Sequence, residues 1–118
     1  MSKARSRLMH QADAAFSQVV KWRDGHTCER CESDYYPECA HLITRDYKAV
    51  RTSLQNAVTL CRTCHAWFTH HPVEWENWLE DKWPGRLQQV KTRALKYERV
   101  DWQQERDHLR ELLAQYEA

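Results

Sequence analysis

Glycine and proline are scarce in this chain, 2 and 3 of 118 residues. That scarcity excludes collagen-like and low-complexity sequences, and it argues against turn-rich all-β folds, whose hairpins consume those residues. A mostly helical chain is favoured. Long apolar runs are missing too, and none approaches the roughly 18 to 20 residues that span a bilayer. The basic start, residues 1–7, is followed by His10, Gln11 and Asp13 rather than by the hydrophobic stretch of a signal peptide. A soluble, cytoplasmic protein is expected, with no membrane partner. Apolar residues make up only 42% of a 14.2 kDa chain whose mean hydropathy is −0.91. A single domain, residues 1–118, then has a small interior, and something besides apolar burial is needed to hold it.

A net excess of charge is also absent, since 18 Lys and Arg face 17 Asp and Glu for a formal +1. The distribution is uneven. In residues 1–23, Lys3, Arg5, Arg7, Lys21 and Arg23 stand against Asp13 alone, a net of +4, while 24–71 sum to −1 and 72–118 to −2. A phosphate backbone is the partner such a basic arm suits, and a solvated helix face is the alternative.

Cysteine, by contrast, is plentiful. Four of the five fall in two identical spacings, Cys28-Glu29-Arg30-Cys31 and Cys61-Arg62-Thr63-Cys64. Each CxxC turns two thiolates toward one centre, and two such knuckles supply the four ligands that Zn²⁺ prefers. Disulfides are disfavoured in a reducing compartment. A structural zinc would contribute roughly 10 kcal/mol of apparent folding free energy, which answers the shortage of core. Cys39 is left over, open to a role as core, ligand or neither.

Along the chain, Leu8, Ala12, Ala15, Phe16, Val19 and Val20 form a helical stripe over residues 4–22 that Asp24-Gly25 ends. An extended segment is expected over 38–44, a loop over 45–57, and a β-prone run at Val58, Thr59 and Leu60. A helix should follow over 65–70, stopped near Pro72. Three more helical pieces are expected. These are 73–83 with Trp75, Trp78 and Leu79, 86–97, and a last one capped by Asp101 with Leu109, Leu112, Leu113 and Tyr116 on one face. The Trp and Leu stripes are read as packing surfaces, with docking of a protein partner as the alternative.

Three polar residues lie between and beside the knuckles without being needed for the zinc: His41, Asn56 and His65. If the four cysteines share one ion, His65 is forced close to the hairpin and can face His41. The order Cys28-x-x-Cys31, Ala40-His41-Leu42-Ile43-Thr44-Arg45, Asn56, Leu60-Cys61-x-x-Cys64-His65 resembles the HNH endonucleases, in particular the small phage-type members with a four-cysteine zinc. The likeness covers residues 25–71.

The resemblance implies an α+β, mostly helical fold. A zinc-pinned ββα-metal core (25–71) would be flanked by a basic N-terminal helix (1–24) and C-terminal helices (72–118). It implies metal-dependent hydrolysis of DNA phosphodiester bonds with low sequence specificity, in phage DNA processing or packaging within the host cytoplasm. His41 would be the general base and Asn56 would hold the loop. His65 would bind one catalytic divalent cation, Mg²⁺, Mn²⁺ or Ni²⁺. Arg45, Lys48 and Arg51, with Lys3, Arg5 and Arg7, would contact DNA phosphates, and a packaging-motor (terminase) subunit is an expected partner. Many relatives place Asp or His just before the base, where this chain has Ala40. Cys39, Asp46 and His70 are the available replacements, although Thr69 rather than His70 falls one helical turn after His65. The bland alternatives make His41 a structural histidine or competing zinc ligand, Asn56 a turn residue, His65 a thiolate partner and the arginines solvated loop charges. The alternative function is a catalytically weak or inactive zinc-stabilised nucleic-acid-binding or adaptor module.

Overall fold

A computed structural model describes all 118 residues. The N-terminal stripe forms α1 (Lys3–Arg23), capped by the Ser2 hydroxyl, which accepts from the Arg5 amide, and burying Met9, Ala12, Ala15, Phe16, Val19 and Val20. The helix ends at Asp24, and Gly25 leaves it in the left-handed region at φ +69°. Asp24 then serves the sheet, its Oδ2 accepting the Thr59 amide at 2.9 Å.

Two strands, β1 (Pro37–His41) and β2 (Ala57–Cys61), pair antiparallel, with Pro37 opposite Cys61 and His41 opposite Ala57. Alternation puts Cys39, His41, Ala57 and Thr59 on one face and Glu38, Ala40, Val58 and Leu60 on the other. The first face meets α1 and α5 (Trp102–Glu117), where Ala57 joins Phe16, Val20, Trp102 and Leu109, with Cys39 packed alongside. The second meets α2 (Arg62–Thr69), α3 (Pro72–Lys82) and α4 (Arg86–Ala94), where Ala40, Val58 and Leu60 join Cys64, Phe68, Leu79 and Val90. The fold is α+β and mostly helical, a hairpin between two helical layers. No helix is long and apolar enough to cross a membrane.

Several boundaries differ from expectation for local reasons. Strand β1 stops at His41 rather than continuing to residue 44, because Asn56 takes over as partner: its carbonyl accepts from Leu42 N and its Oδ1 from Ile43 N, both at 2.9 Å. The expected loop contains two single turns of 3-10 helix, Lys48–Val50 and Leu54–Asn56, and Ala57 already belongs to β2. Helix α2 starts inside the second knuckle because the Cys61 side chain caps it, accepting the Cys64 amide. Pro72 does not merely stop α2; it opens α3 as a first-turn proline, whose missing N–H costs nothing there. Helix α4 ends at Ala94, short of residue 97. Asp101 caps α5 as expected, while Leu109 is the buried member of that stripe. Trp75, Trp78 and Trp83 pack against the second cluster and Trp102 is buried in the first, so these four tryptophans are packing residues.

Candidate functional site

The Pro37–Cys61 end of the hairpin carries the cysteines. The Sγ atoms of Cys28, Cys31, Cys61 and Cys64 all lie within 4.8 Å of one another, and Cys31 and Cys61 are 3.7 Å apart. A tetrahedral zinc with sulfur ligands at about 2.3 Å needs sulfur separations of about 3.8 Å, so the cluster fits. In each knuckle the second cysteine donates its amide to the first sulfur, Cys31 to Cys28 at 3.5 Å and Cys64 to Cys61 at 3.4 Å. Glu32 closes the first knuckle in the left-handed region (φ 66°), and Glu29 N binds Thr59 O at 2.9 Å, fastening that knuckle to β2. Burial raises the Cys28 thiol, but backbone hydrogen bonds from Cys61, Cys31 and Arg30 outweigh it and bring the pKa down to about 7. Burial and the neighbouring Cys61 thiol push Cys64 up to about 12. A divalent ion at the centre is what allows all four sulfurs to be thiolates at once. The four cysteines are positioned to bind one metal ion, and their donor set is that of structural zinc.

The other end of the ladder opens into a cleft. His41, the last residue of β1, and His65, in the first half of α2, both line two adjoining hollows of about 510 and about 630 Å³, which also share Thr44 and Thr69. The strand and the helix thus present the two imidazoles to one space. His41 Nε2 lies 3.0 Å from the Arg51 carbonyl. A carbonyl only accepts, so Nε2 carries the proton and Nδ1 of the neutral ring keeps its lone pair. Burial holds the His41 pKa below the usual value, although the Arg51 carbonyl pulls the other way, and the ring leans on Phe16 of α1 at 5.5 Å between centroids. His65 Nδ1 lies 2.9 Å from Glu38 Oε1. The carboxylate accepts the hydrogen bond from Nδ1–H, which leaves Nε2 of the neutral ring with its lone pair for a ligand.

Asn56, completely buried, holds the intervening segment in place. Besides accepting from Ile43 N, its amide donates to Ile43 O at 3.2 Å and Val50 O at 3.1 Å. Its link to His41 is indirect and runs through the segment whose Arg51 carbonyl holds the ring. Arg51 itself departs from expectation. Its guanidinium is buried against Asp13 of α1, with bonds of 2.8 and 2.6 Å and a further bond to Arg45 O, so it fixes the segment and is not free for phosphate. The Asp13 hydrogen bond raises the Arg51 pKa further. Arg45 lines the cleft and is exposed, as is Lys48. Lys3 and Arg7 line a shallow hollow along α1 with Ser6 and His10, and Lys3, Ser6, His10, Asp13 and Ser17 form one stripe that leads into the cleft. Arg5 falls on the side carrying Ala12 and Phe16, apart from Lys3 and Arg7.

Ala40 is buried on the sheet's second face and offers no ligand. Of the three expected replacements only Cys39 lines the cleft, where burial pushes its thiol up to about 12. Asp46 and His70 are exposed and line neither hollow, whereas Thr69 does, one turn after His65. The carboxylate that reaches His65 is Glu38, on the same face as Ala40 and two residues earlier. Strand alternation was the signal that could have found it, once the register was known. No protein-family model, curated protein or solved structure matches the chain.

Proposed function

We propose that the chain is a metal-dependent endonuclease of the HNH type that hydrolyses DNA phosphodiester bonds. One observation carries this reading: His41 and His65 share a cleft with a lone pair free on each, Nδ1 of His41 and Nε2 of His65. In the reaction, water attacks the phosphorus, the bond to the 3′ oxygen breaks, and His41 Nδ1 takes the water's proton while the leaving oxygen gains one from solvent. Its depressed pKa keeps His41 neutral, and so able to accept, at pH 7. His65 would hold a divalent cation, with Glu38 orienting its ring; such an ion supplies positive charge against the phosphate oxygens. With Ala40 contributing nothing, such an ion would be held by few protein groups, which suits Mg²⁺ or Mn²⁺. Arg45, Lys48, Lys3 and Arg7 are the exposed cations suited to the DNA backbone.

Relaxation of supercoiled plasmid by the zinc-loaded protein with added Mg²⁺, Mn²⁺ or Ni²⁺ tests this. Wild type should nick, and His41→Ala, with an unchanged circular dichroism spectrum, should lose on the order of 10² to 10⁴ of the rate. Equal cleavage by both would remove His41 from the mechanism. Burial of Ala40, which leaves the cation a sparse protein shell, favours a second reading, a zinc-stabilised nucleic-acid-binding module without hydrolysis. Salt-sensitive DNA binding with no nicking under any cation would select it.

A further inference from the structure

The two hollows that meet at the histidine pair differ in chemistry. The larger is lined by Asp13, Phe16, Ser17, Cys39 and Arg45 besides the shared residues, a mixed surface that carries an exposed cation. The smaller, about 510 Å³, is lined beyond the shared residues by Ala40, Leu60, Phe68, Pro72 and Trp75, with no Asp, Glu, Lys or Arg among them. A wall without a cation does not track a phosphate backbone. It does suit a flat apolar ring, and the Trp75 ring is held ready for one, stacked on Trp78 at 5.7 Å and tilted against Phe68 at 4.9 Å. Thr44 and Thr69 edge the hollow with hydroxyls. Thr44 Oγ1 accepts from Asp46 N and keeps its proton to donate, while Thr69 Oγ1 donates to His65 O and keeps its lone pairs.

We infer that this apolar half of the cleft is a nucleobase subsite, so that the strand is engaged with a base unstacked beside the phosphate at His41 and His65. The inference rests on the nuclease reading and gives it a substrate class, single-stranded or locally opened DNA. A base in an intact duplex has both faces stacked and cannot reach Trp75. A single strand offers a free face, and stacking on a fixed aromatic tolerates any sequence. Continuity with the histidine pair and the cation at Arg45 argue for a nucleotide over a purely apolar ligand, with the phosphate over the half that carries Arg45 and the base over the apolar half.

The test uses fluorescence anisotropy with the zinc-loaded full chain, without added Mg²⁺ or Mn²⁺. The probes are a labelled thymidine 12-mer, a 12-mer of the same backbone with every position abasic, and the corresponding duplex. The single strand should bind on the order of ten-fold more tightly than the duplex at equal salt, and Trp75→Ala should remove about ten-fold of that affinity while Trp75→Phe retains most of it. Duplex binding should change by less than about two-fold in either variant. Because Trp75 also packs on Phe68, the abasic strand on unmodified protein provides a readout free of any folding defect. It keeps the phosphates and lacks every base, so it should bind about ten-fold more weakly than the thymidine strand. Equal affinity for strand and duplex, or for thymidine and abasic strand, overturns the subsite. If plasmid is nicked yet strand and duplex bind alike, the subsite fails and the nuclease stands. If the strand preference and Trp75 effect appear with no cleavage under any cation, the subsite stands and the nuclease fails.

Discussion

At the Pro37–Cys61 end of the hairpin, four donors of one kind arrive two by two from two copies of one short spacing and converge within 4.8 Å. Around the cleft the polar groups come from scattered places in the chain. His41 ends the strand, Asn56 ends a single turn of helix, His65 rides on α2, Glu38 lies three residues up the strand and Arg51 is pinned from α1 by Asp13. The first arrangement is made by local chain geometry and needs only an ion to complete it. The second exists only once the whole hairpin, α1 and α2 are in place. Damage to the knuckles should therefore abolish the cleft, whereas damage to the cleft should leave the knuckles intact.

The largest expected effect comes from the knuckles. Replacing Cys61 by Ser, or stripping metal with a chelator, should unfold the centre of the chain, because roughly 10 kcal/mol of metal binding is comparable to the whole stability of a small domain. Circular dichroism alongside metal stoichiometry checks this, and an unchanged spectrum after confirmed metal loss would break the asymmetry. Next is Asn56→Ala, which strands Ile43 N, Ile43 O and Val50 O in the interior. It should cost about 3 kcal/mol in denaturant unfolding while one metal stays bound.

Glu38→Ala should leave folding nearly untouched and raise the Mn²⁺ concentration for half-maximal cleavage about 10- to 100-fold. A fall in maximal rate at unchanged Mn²⁺ dependence would assign Glu38 another role. The smallest effect concerns pH. His41 is held below its ordinary pKa of about 6.5 by burial, so the unfolded chain binds the extra proton first as pH drops. Its contribution to stability is complete above about pH 6.5 and is lost as pH falls through the folded value. The cleavage rate should likewise stay level from pH 8 to about 6.5 and fall only below that. An acid limb centred above pH 6.5 would contradict the assignment of His41 as base.

The same contrast explains what could be read from the chain. Helix α1, the Asp101 cap and both knuckles were legible because each is written within a few residues. The pairing of His65 with Glu38, 27 residues apart, and of Arg51 with Asp13, 38 apart, depends on register and helix placement that no local pattern encodes. Arg51 looked like a phosphate contact or a solvated loop charge balanced by Asp46, since the carboxylate that binds it, Asp13, lies 38 residues away. The overlong strand has a similar cause, since Leu42 and Ile43 have β-prone side chains but find Asn56 in place of a partner strand.

The proposal that His41 and His65 form a hydrolytic centre is tested most directly by soaking zinc-loaded crystals with Mn²⁺ and locating both metals by anomalous diffraction. The expected result is zinc among the four sulfurs and a separate manganese on His65 Nε2, on the side of the cleft that faces His41. A cleft without manganese at concentrations that saturate cleavage, or manganese seated away from His65, would contradict it.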